Sequence, residues 1–498
     1  MGFGFRAASG LAAALALASV LGLVASTSVG TSGTPHRASW RFASFTLASS
    51  PPSRAGTVCP SRHRGCANAA AEPAIRADGA GRLFASSENG LLRGTDAWVS
   101  RDGGRHFRTL PSPNKGSRSR DAFAPGGGDT DLAVAPVKNA RGFYNVYVAS
   151  LSLANIDVST SADGGRHWRL NPTGAKIPLD DREWLAADGR AKVCASYHDV
   201  ATSNIDVDCS FDAGASFRGH ASAIDAAHSY LVANNQIGNL AIDARTHIVY
   251  AAFNGIANES EAVCSALGTC AYHAVWIAVS GDGGRTFTDH RVYVARAASR
   301  SFNHQFANVC IDRAGTVYTV FSDDRSVYYS FSRTRGRTWS PPVRVNRRPS
   351  RTAIFPWATA GAPGRLDVVW YGSSSAPAGS PPDDYPSSAG WYVFFAQSRN
   401  ADGRGATFRQ VRATPVVHRG SVCEGGVSCA GNRDLYDDFG VAASPRTGRA
   451  AIVYSDDQYR SDPRNHIQSA CTRKRSNSLP CDHTAIAVQL TGPGIFLP

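Results

Sequence analysis

Lysine is scarce in this chain: five of the 52 basic residues (115, 138, 176, 192 and 474), which leaves 47 arginines. A net charge of +13 built so one-sidedly reflects arginine-rich coding more than a phosphate-binding surface, and no nucleic-acid-binding module is present. Several catalytic signatures are missing as well. There is no Gly-x-Ser-x-Gly elbow, no His-Glu-x-x-His helix and no phosphate-cradling glycine loop. No Cys-x-x-Cys pair occurs and no histidine stands at ligand spacing to the cysteines, which argues against a zinc site built on them. Long apolar runs are also lacking. Leu11 to Val24 falls about five residues short of a membrane span. With Arg6 before it and Val24-Ala25-Ser26 after it, the run reads as a secretory signal peptide over residues 1–28.

The eleven cysteines fit export. Proximity suggests five pairs: Cys59 with Cys66, Cys194 with Cys209, Cys264 with Cys270, Cys423 with Cys429, and Cys471 with Cys481. Cys310 is left as a buried thiol. Residues 29–68 are rich in Ser, Pro and Arg and read as a linker. The rest of the chain is repetitive. Ser280-Gly-Asp282-Gly-Gly284-Arg-Thr286-Phe287 is the cleanest copy of a turn that recurs around Asp102, Asp163 and Asp212. A variant carries Thr334 in place of Asp, and a stretched copy surrounds Asp402. Asp closes such a turn by accepting backbone N–H groups, Gly supplies a positive φ, and the terminal aromatic enters the next strand. Ahead of each turn runs a short apolar strand, a Gly-containing turn and a strand rich in Val, Ile and aromatics, and seven such units can be drawn.

The Ser-x-Asp-x-Gly-x-Thr-Phe turn resembles the Asp-box, or BNR repeat, of the sialidase-like β-propellers. The resemblance covers residues 69–498 and implies an all-β fold of four-stranded antiparallel blades, with the turn between the third and fourth strands. Seven blades are expected, six being the alternative count. It also implies a hydrolase that grips a substrate carboxylate with three arginines and attacks through a Tyr–Glu pair with an Asp as acid/base. In that family the first arginine precedes a proline on the opening strand. Here that place reads Ala71-Glu72-Pro73, so the arginine is absent.

Acidic and aromatic residues recur where blades begin and leave their inner strands, among them Asp129, Glu88 and Asp438. The candidate catalytic residues are Glu183, Asp437, Tyr436 and Asp324. The candidate substrate-binding residues are Arg182, Arg325, Tyr371, Glu72, Asp131 and Asp457. Paired carboxylates serve acid/base work on a glycoside, and convergent oxygens serve Ca²⁺, which is allowed for here without being required. Long insertions at 254–273, 373–391, 417–434 and 456–482 read as ordered binding loops. The leading expectation is a secreted, monomeric exo-glycosidase acting on an extracellular glycan or glycoconjugate, with no membrane span after signal removal. A non-catalytic glycan- or protein-binding propeller is the alternative. An endo-glucanase of the Asp-box type, using two Asp residues, is a third reading.

Overall fold

The computed structural model describes residues 40–48, 70–90, 94–114, 126–152, 155–302, 306–425, 429, 433–458 and 482–496. The signal-peptide reading and most of the 29–68 stretch lie outside the described residues. Strands come in seven antiparallel sheets of four in the order of a meander, the sixth carrying a short extra strand. This is a seven-bladed propeller. The inner strands are Ala71–Ala77, Thr130–Lys138, Asp180–Asp188, Asn235–Ile242, Asn308–Ile311, Thr352–Ala360 and Gly440–Ala443. Small and apolar side chains from all seven line one central cavity of about 320 Å³, and Cys310 faces it as a half-buried free thiol.

The seventh blade departs from the sequence reading. Its outermost strand is Phe42–Thr46, from the stretch read as linker, and it pairs antiparallel with Ala485–Gln489. Side-chain alternation explains the choice. Trp40 and Phe42 contact Phe395 of the sixth blade, while Phe45 and Leu47 join the core shared with the first blade. The chain start therefore closes the ring and covers an edge that would otherwise be open.

The recurrent turns lie between the third and fourth strands and hold themselves together locally. Ser280 Oγ donates to Asp282 Oδ1 at 2.7 Å, Thr286 Oγ1 donates to Oδ2 at 2.7 Å, and Gly284 N–H donates to Ser280 Oγ at 2.8 Å. A Cβ at Gly284, whose φ is 95°, would meet Cys209 Sγ at 2.8 Å, so only glycine fits. Thr334 Oγ1 takes the Asp role in the fifth blade, accepting Thr338 N–H at 2.9 Å. In the sixth blade the role falls to Asn400, not to Asp402. Asn400 Oδ1 accepts Ser398 Oγ and Thr407 N–H, both at 3.2 Å, because it stands two residues after the serine as the other capping residues do. Asp402 instead pairs with Arg333 of the neighbouring blade at 3.1 Å.

Three of the five expected disulfides are formed: Cys194–Cys209, Cys264–Cys270 and Cys423–Cys429. The first staples directly opposed residues of adjacent strands in the third blade. The other two lie within the insertions after residues 254 and 417. The remaining two pairings fall outside the described residues: Cys59 and Cys66 stand in the stretch read as linker, and Cys471 and Cys481 in the insertion after residue 456.

One irregularity aims side chains at the channel mouth. The inner strands of the first, third and sixth blades open on a bulge, between Ala71 and Ala74, Asp181 and Glu183, and Ile354 and Trp357. Each bulge holds a left-handed non-glycine residue: Glu72 (φ 46°), Arg182 (φ 51°) and Phe355 (φ 50°). Tyr436 (φ 55°) precedes the inner strand of the seventh blade in the same conformation. Such backbone costs about 1–3 kcal/mol per residue and persists where surrounding contacts over-determine it.

Candidate active site

Those left-handed residues bring together charges from distant blades. Arg182 Nη1 lies 3.2 Å from Glu72 Oε2 and 3.5 Å from Asp129 Oδ2, while Nη2 lies 2.6 Å from Asp438 Oδ2. Its guanidinium stacks 4.3 Å from the Trp184 ring centre and 4.8 Å from that of Phe306. Arg433 Nη2 lies 2.9 Å from Glu72 Oε1 and 2.6 Å from Asp437 Oδ2, so two arginines share Glu72. Asp131 pairs with Arg76 at 2.9 Å and accepts Leu185 N–H at 2.8 Å. The side chains of Glu72 and Glu183 are sealed from solvent, whereas Asp129, Asp437 and Arg433 retain 15%, 16% and 23% exposure. The accessible members of the cluster are therefore Asp129, Asp437 and Arg433, with Arg76 (24% exposed) on the side of the central cavity.

Carboxylates outnumber cations. Glu72, Glu88, Asp129, Asp131, Glu183, Asp437 and Asp438 make seven against Arg76, Arg182 and Arg433, an excess of four. Burial cannot sustain so many like charges, and the proton affinities separate. Burial, reinforced by the Asp129 charge, pushes Glu72, Glu88 and Glu183 well above the usual carboxyl range. Asp438 is pushed up to about 7 by burial, with Arg182 opposing. Asp129 goes the other way, because Arg182 and the hydrogen bond with Glu72 outweigh its burial. One oxygen from each of Glu72, Glu88 and Asp129 falls within 4.8 Å of the others. Carboxyls of raised and of lowered proton affinity thus stand side by side.

Of the residues expected from sequence, Glu72, Asp131, Arg182, Glu183, Tyr436 and Asp437 are brought to this cluster. Tyr436 underlies Arg433, 5.3 Å from ring centre to guanidinium. Tyr371 is fully buried behind it, its hydroxyl accepting Ser455 N–H at 2.8 Å, so it joins the sixth and seventh blades and offers no surface to a ligand. Arg325 goes elsewhere: it donates to Tyr385 Oη at 2.9 Å and to the carbonyls of Pro377 and Ser380, anchoring the insertion after residue 373. Asp324 neighbours it in a left-handed turn. Asp457 belongs to a separate group around His418. Arg433 escaped the sequence reading because it lies in a long insertion with no repeat partner. Only its spacing of four from Asp437 hinted at the ion pair.

No family model and no curated protein matches this chain. Solved structures resemble it weakly. A Dyadobacter fermentans protein of unknown function shares 13% identity over 84% of this chain and 94% of its own, with a TM-score of 0.42. The Penicillium chrysogenum α-L-arabinanase, solved with arabinobiose, shares 13% over 66% and 94%, with a TM-score of 0.43. The leech intramolecular trans-sialidase shares 11% over 89% and 70%, with a TM-score of 0.40. Glycoside-hydrolase propellers are thus among the similar structures, and at these scores the fold assignment rests on the strand order above. Among the described residues, no helix is long and apolar enough to cross a membrane.

Proposed function

We propose that this chain is an exported glycoside hydrolase acting on an uncharged glycan terminus at the channel mouth. The observation that carries the reading is the opposed proton affinity of neighbouring carboxyls. Glu88, its proton affinity raised by burial and by the Asp129 charge and its residue 6% exposed, is suited to donate to a leaving oxygen. Asp129, held ionised and partly exposed, is suited to attack or stabilise the anomeric carbon. A separation under 4.8 Å is nearer the ~5 Å spacing of retaining enzymes than the wider gap of inverting ones. In a retaining scheme Asp129 forms the glycosyl ester as Glu88 gives up its proton. Water then releases the sugar, with Glu88 taking the proton back. Glu72, sealed from solvent, acts as a positioning residue whose hydrogen bond with Asp129 helps hold that carboxyl ionised.

The same electrostatics disfavours a sialoside. Arg182 and Arg433 already bind the protein's own carboxylates, and the surplus of negative charge repels another. Three disulfides support placement outside the cytoplasm.

The test is a panel of fluorogenic glycosides, neutral sugars beside a sialoside, with Asp129→Asn and Glu88→Gln. Turnover of a neutral glycoside that drops at least ~10²-fold in either variant supports the reading. Sialoside turnover alone overturns the charge argument. No turnover by folded protein overturns hydrolysis and leaves a glycan- or protein-binding propeller.

A further inference from the structure

A groove between the fifth and sixth blades carries positive charge that the fold leaves unmatched. Arg325 reaches it from the loop between the second and third strands of the fifth blade. Arg344, Arg347, Arg348 and Arg351 come from the end of that blade and the link into the sixth, and residues 376–378 of the insertion after residue 373 close the far wall. The groove holds about 740 Å³, within the range of ligand sites. The abundance of arginine in the chain does not account for it: four of the eight residues 344–351 are arginine, against 47 of 498 overall. No carboxylate lines the groove, and the nearby Asp323 is engaged by Arg300 at 3.1 Å.

The link is fixed by its backbone while its charged ends are left open. Asn346, itself buried, donates from Nδ2 to the carbonyls of Arg325 and Ser350 at 3.0 and 3.2 Å. Gln410 brackets Arg347, accepting its N–H at 2.8 Å and donating to its carbonyl at 3.0 Å. Arg351 N–H donates to the Ser373 carbonyl at 2.8 Å. The side chains of Arg347, Arg348 and Arg351 are exposed, and their guanidinium groups have no hydrogen bond or ion pair among the described residues. Like charges crowded on a rigid backbone repel one another, and a bound anion relieves that repulsion.

We propose that this groove binds an anionic polysaccharide, with Arg347, Arg348 and Arg351 pairing its sulfate or uronate groups. Guanidinium forks match oxyanions of this kind, and several arginines in a row favour a polymer of repeated charge over a lone anion. The lining also selects among polyanions. It has no aromatic side chain on which nucleic-acid bases would stack. Its apolar residues are only Ala376, Pro377 and Ala378, which give an acidic peptide no deep anchor. The site shares no residue with the carboxyl cluster at the channel mouth and does not depend on the hydrolase reading.

The experiment titrates the full mature chain with heparin fragments, oligogalacturonate, oligoglutamate and oligo-dT by calorimetry at about 150 mM NaCl, where weak surface attraction is screened. Binding is read without turnover, so failure of the hydrolase reading leaves it intact. The groove variant combines Arg347→Ala, Arg348→Ala and Arg351→Ala. A control of equal charge combines Arg105→Ala, Arg285→Ala and Arg337→Ala, exposed arginines of the recurrent turns on the opposite face. Heparin binding identifies sulfate as the partner group, and oligogalacturonate binding identifies carboxylate. The groove variant should weaken it at least ~10-fold and the control less than ~3-fold. Arg348→Ala alone, expected to lose ~3-fold, guards against misfolding of the triple variant. Folded wild-type protein that binds neither polysaccharide overturns the proposal. Equal weakening in the groove and control variants overturns the site, and tighter binding of oligoglutamate or oligo-dT than of either polysaccharide overturns the ligand class.

Discussion

Replacing Arg182 with Met tests whether the channel mouth is held by charge. Methionine keeps much of the apolar stem against Trp184 and Phe306 while leaving Glu72, Asp129 and Asp438 without their shared cation. Breaking a buried ion pair from one side costs about 3–5 kcal/mol. Loss of the desolvated cation–π stack adds about 1 kcal/mol, so a deficit of about 5 kcal/mol is expected at pH 8. The deficit depends on pH in a definite direction. In the wild type, Asp129 has a depressed folded pKa, so it contributes stability above its unfolded value of about 3.9 and loses it as pH falls. Without Arg182 its folded pKa rises above that value, joining Glu72. Raised carboxyls stabilise fully below the unfolded pKa and lose that contribution as pH rises through the folded one. Each proton taken up recovers about 1.4 kcal/mol per pH unit below the raised pKa. The gap between variant and wild type should therefore shrink to about 2 kcal/mol at pH 5. Guanidinium unfolding of both proteins at pH 5, 6.5 and 8 measures it. A deficit below about 1 kcal/mol at pH 8, or one that is flat across the range, would refute the argument.

Three further outcomes follow from the geometry. The wild-type melting temperature should rise as pH falls from 8 toward 5, because Asp438, near 7, and the more strongly raised Glu72, Glu88 and Glu183 gain protons. It should fall again in stronger acid, where turn aspartates such as Asp212, lowered to about 2 by Ser216 and Ser210 hydrogen bonds against the pull of burial, lose their charge. A thermal-melt series that declines steadily from pH 8 to 5 would contradict this. Asn400→Ala should cost about 1 kcal/mol through its lost turn bonds and Asp402→Ala less than about 0.5, since the latter breaks only an exposed ion pair. Equal effects in chemical denaturation would argue against the corrected turn. Trp40→Ala with Leu47→Ala should cost about 5 kcal/mol, because each residue seals the closing strand against a different neighbouring blade. Limited proteolysis should then cut residues 40–48 before the rest of the chain.

What the sequence made legible was whatever is decided within a few residues. The recurrent turns announce themselves because Ser, Asp and Gly at fixed offsets close their own hydrogen bonds, as at Ser280, Asp282 and Gly284. The same locality explains the misplacement at Asp402: two candidate carboxyl or amide caps stood two residues apart, and only the i to i+2 distance from Ser398 selects Asn400. Closure of the ring was hidden, because Phe42, amid Ser- and Pro-rich sequence, finds its partner at Gln489, near the other end of the chain. The channel mouth was half legible. Repeat alignment placed Glu72, Arg182, Glu183 and Tyr436 at corresponding strand openings, and all four reach the cluster around Arg182 and Arg433. The parallel between Ala71-Glu72-Pro73-Ala74 and Ile354-Phe355-Pro356-Trp357, each with a left-handed residue before proline, is a sequence signal for the bulge that aims them. Which carboxyls keep their protons was not legible, since that follows from the excess of acids around Arg182 and Arg433 after seven blades have closed. From the sequence alone, the resemblance of the repeated turns led to the expectation of arginines waiting for a substrate carboxylate. The folded chain supplies those carboxylates itself, and this internal neutralisation turns the proposed site toward an uncharged sugar.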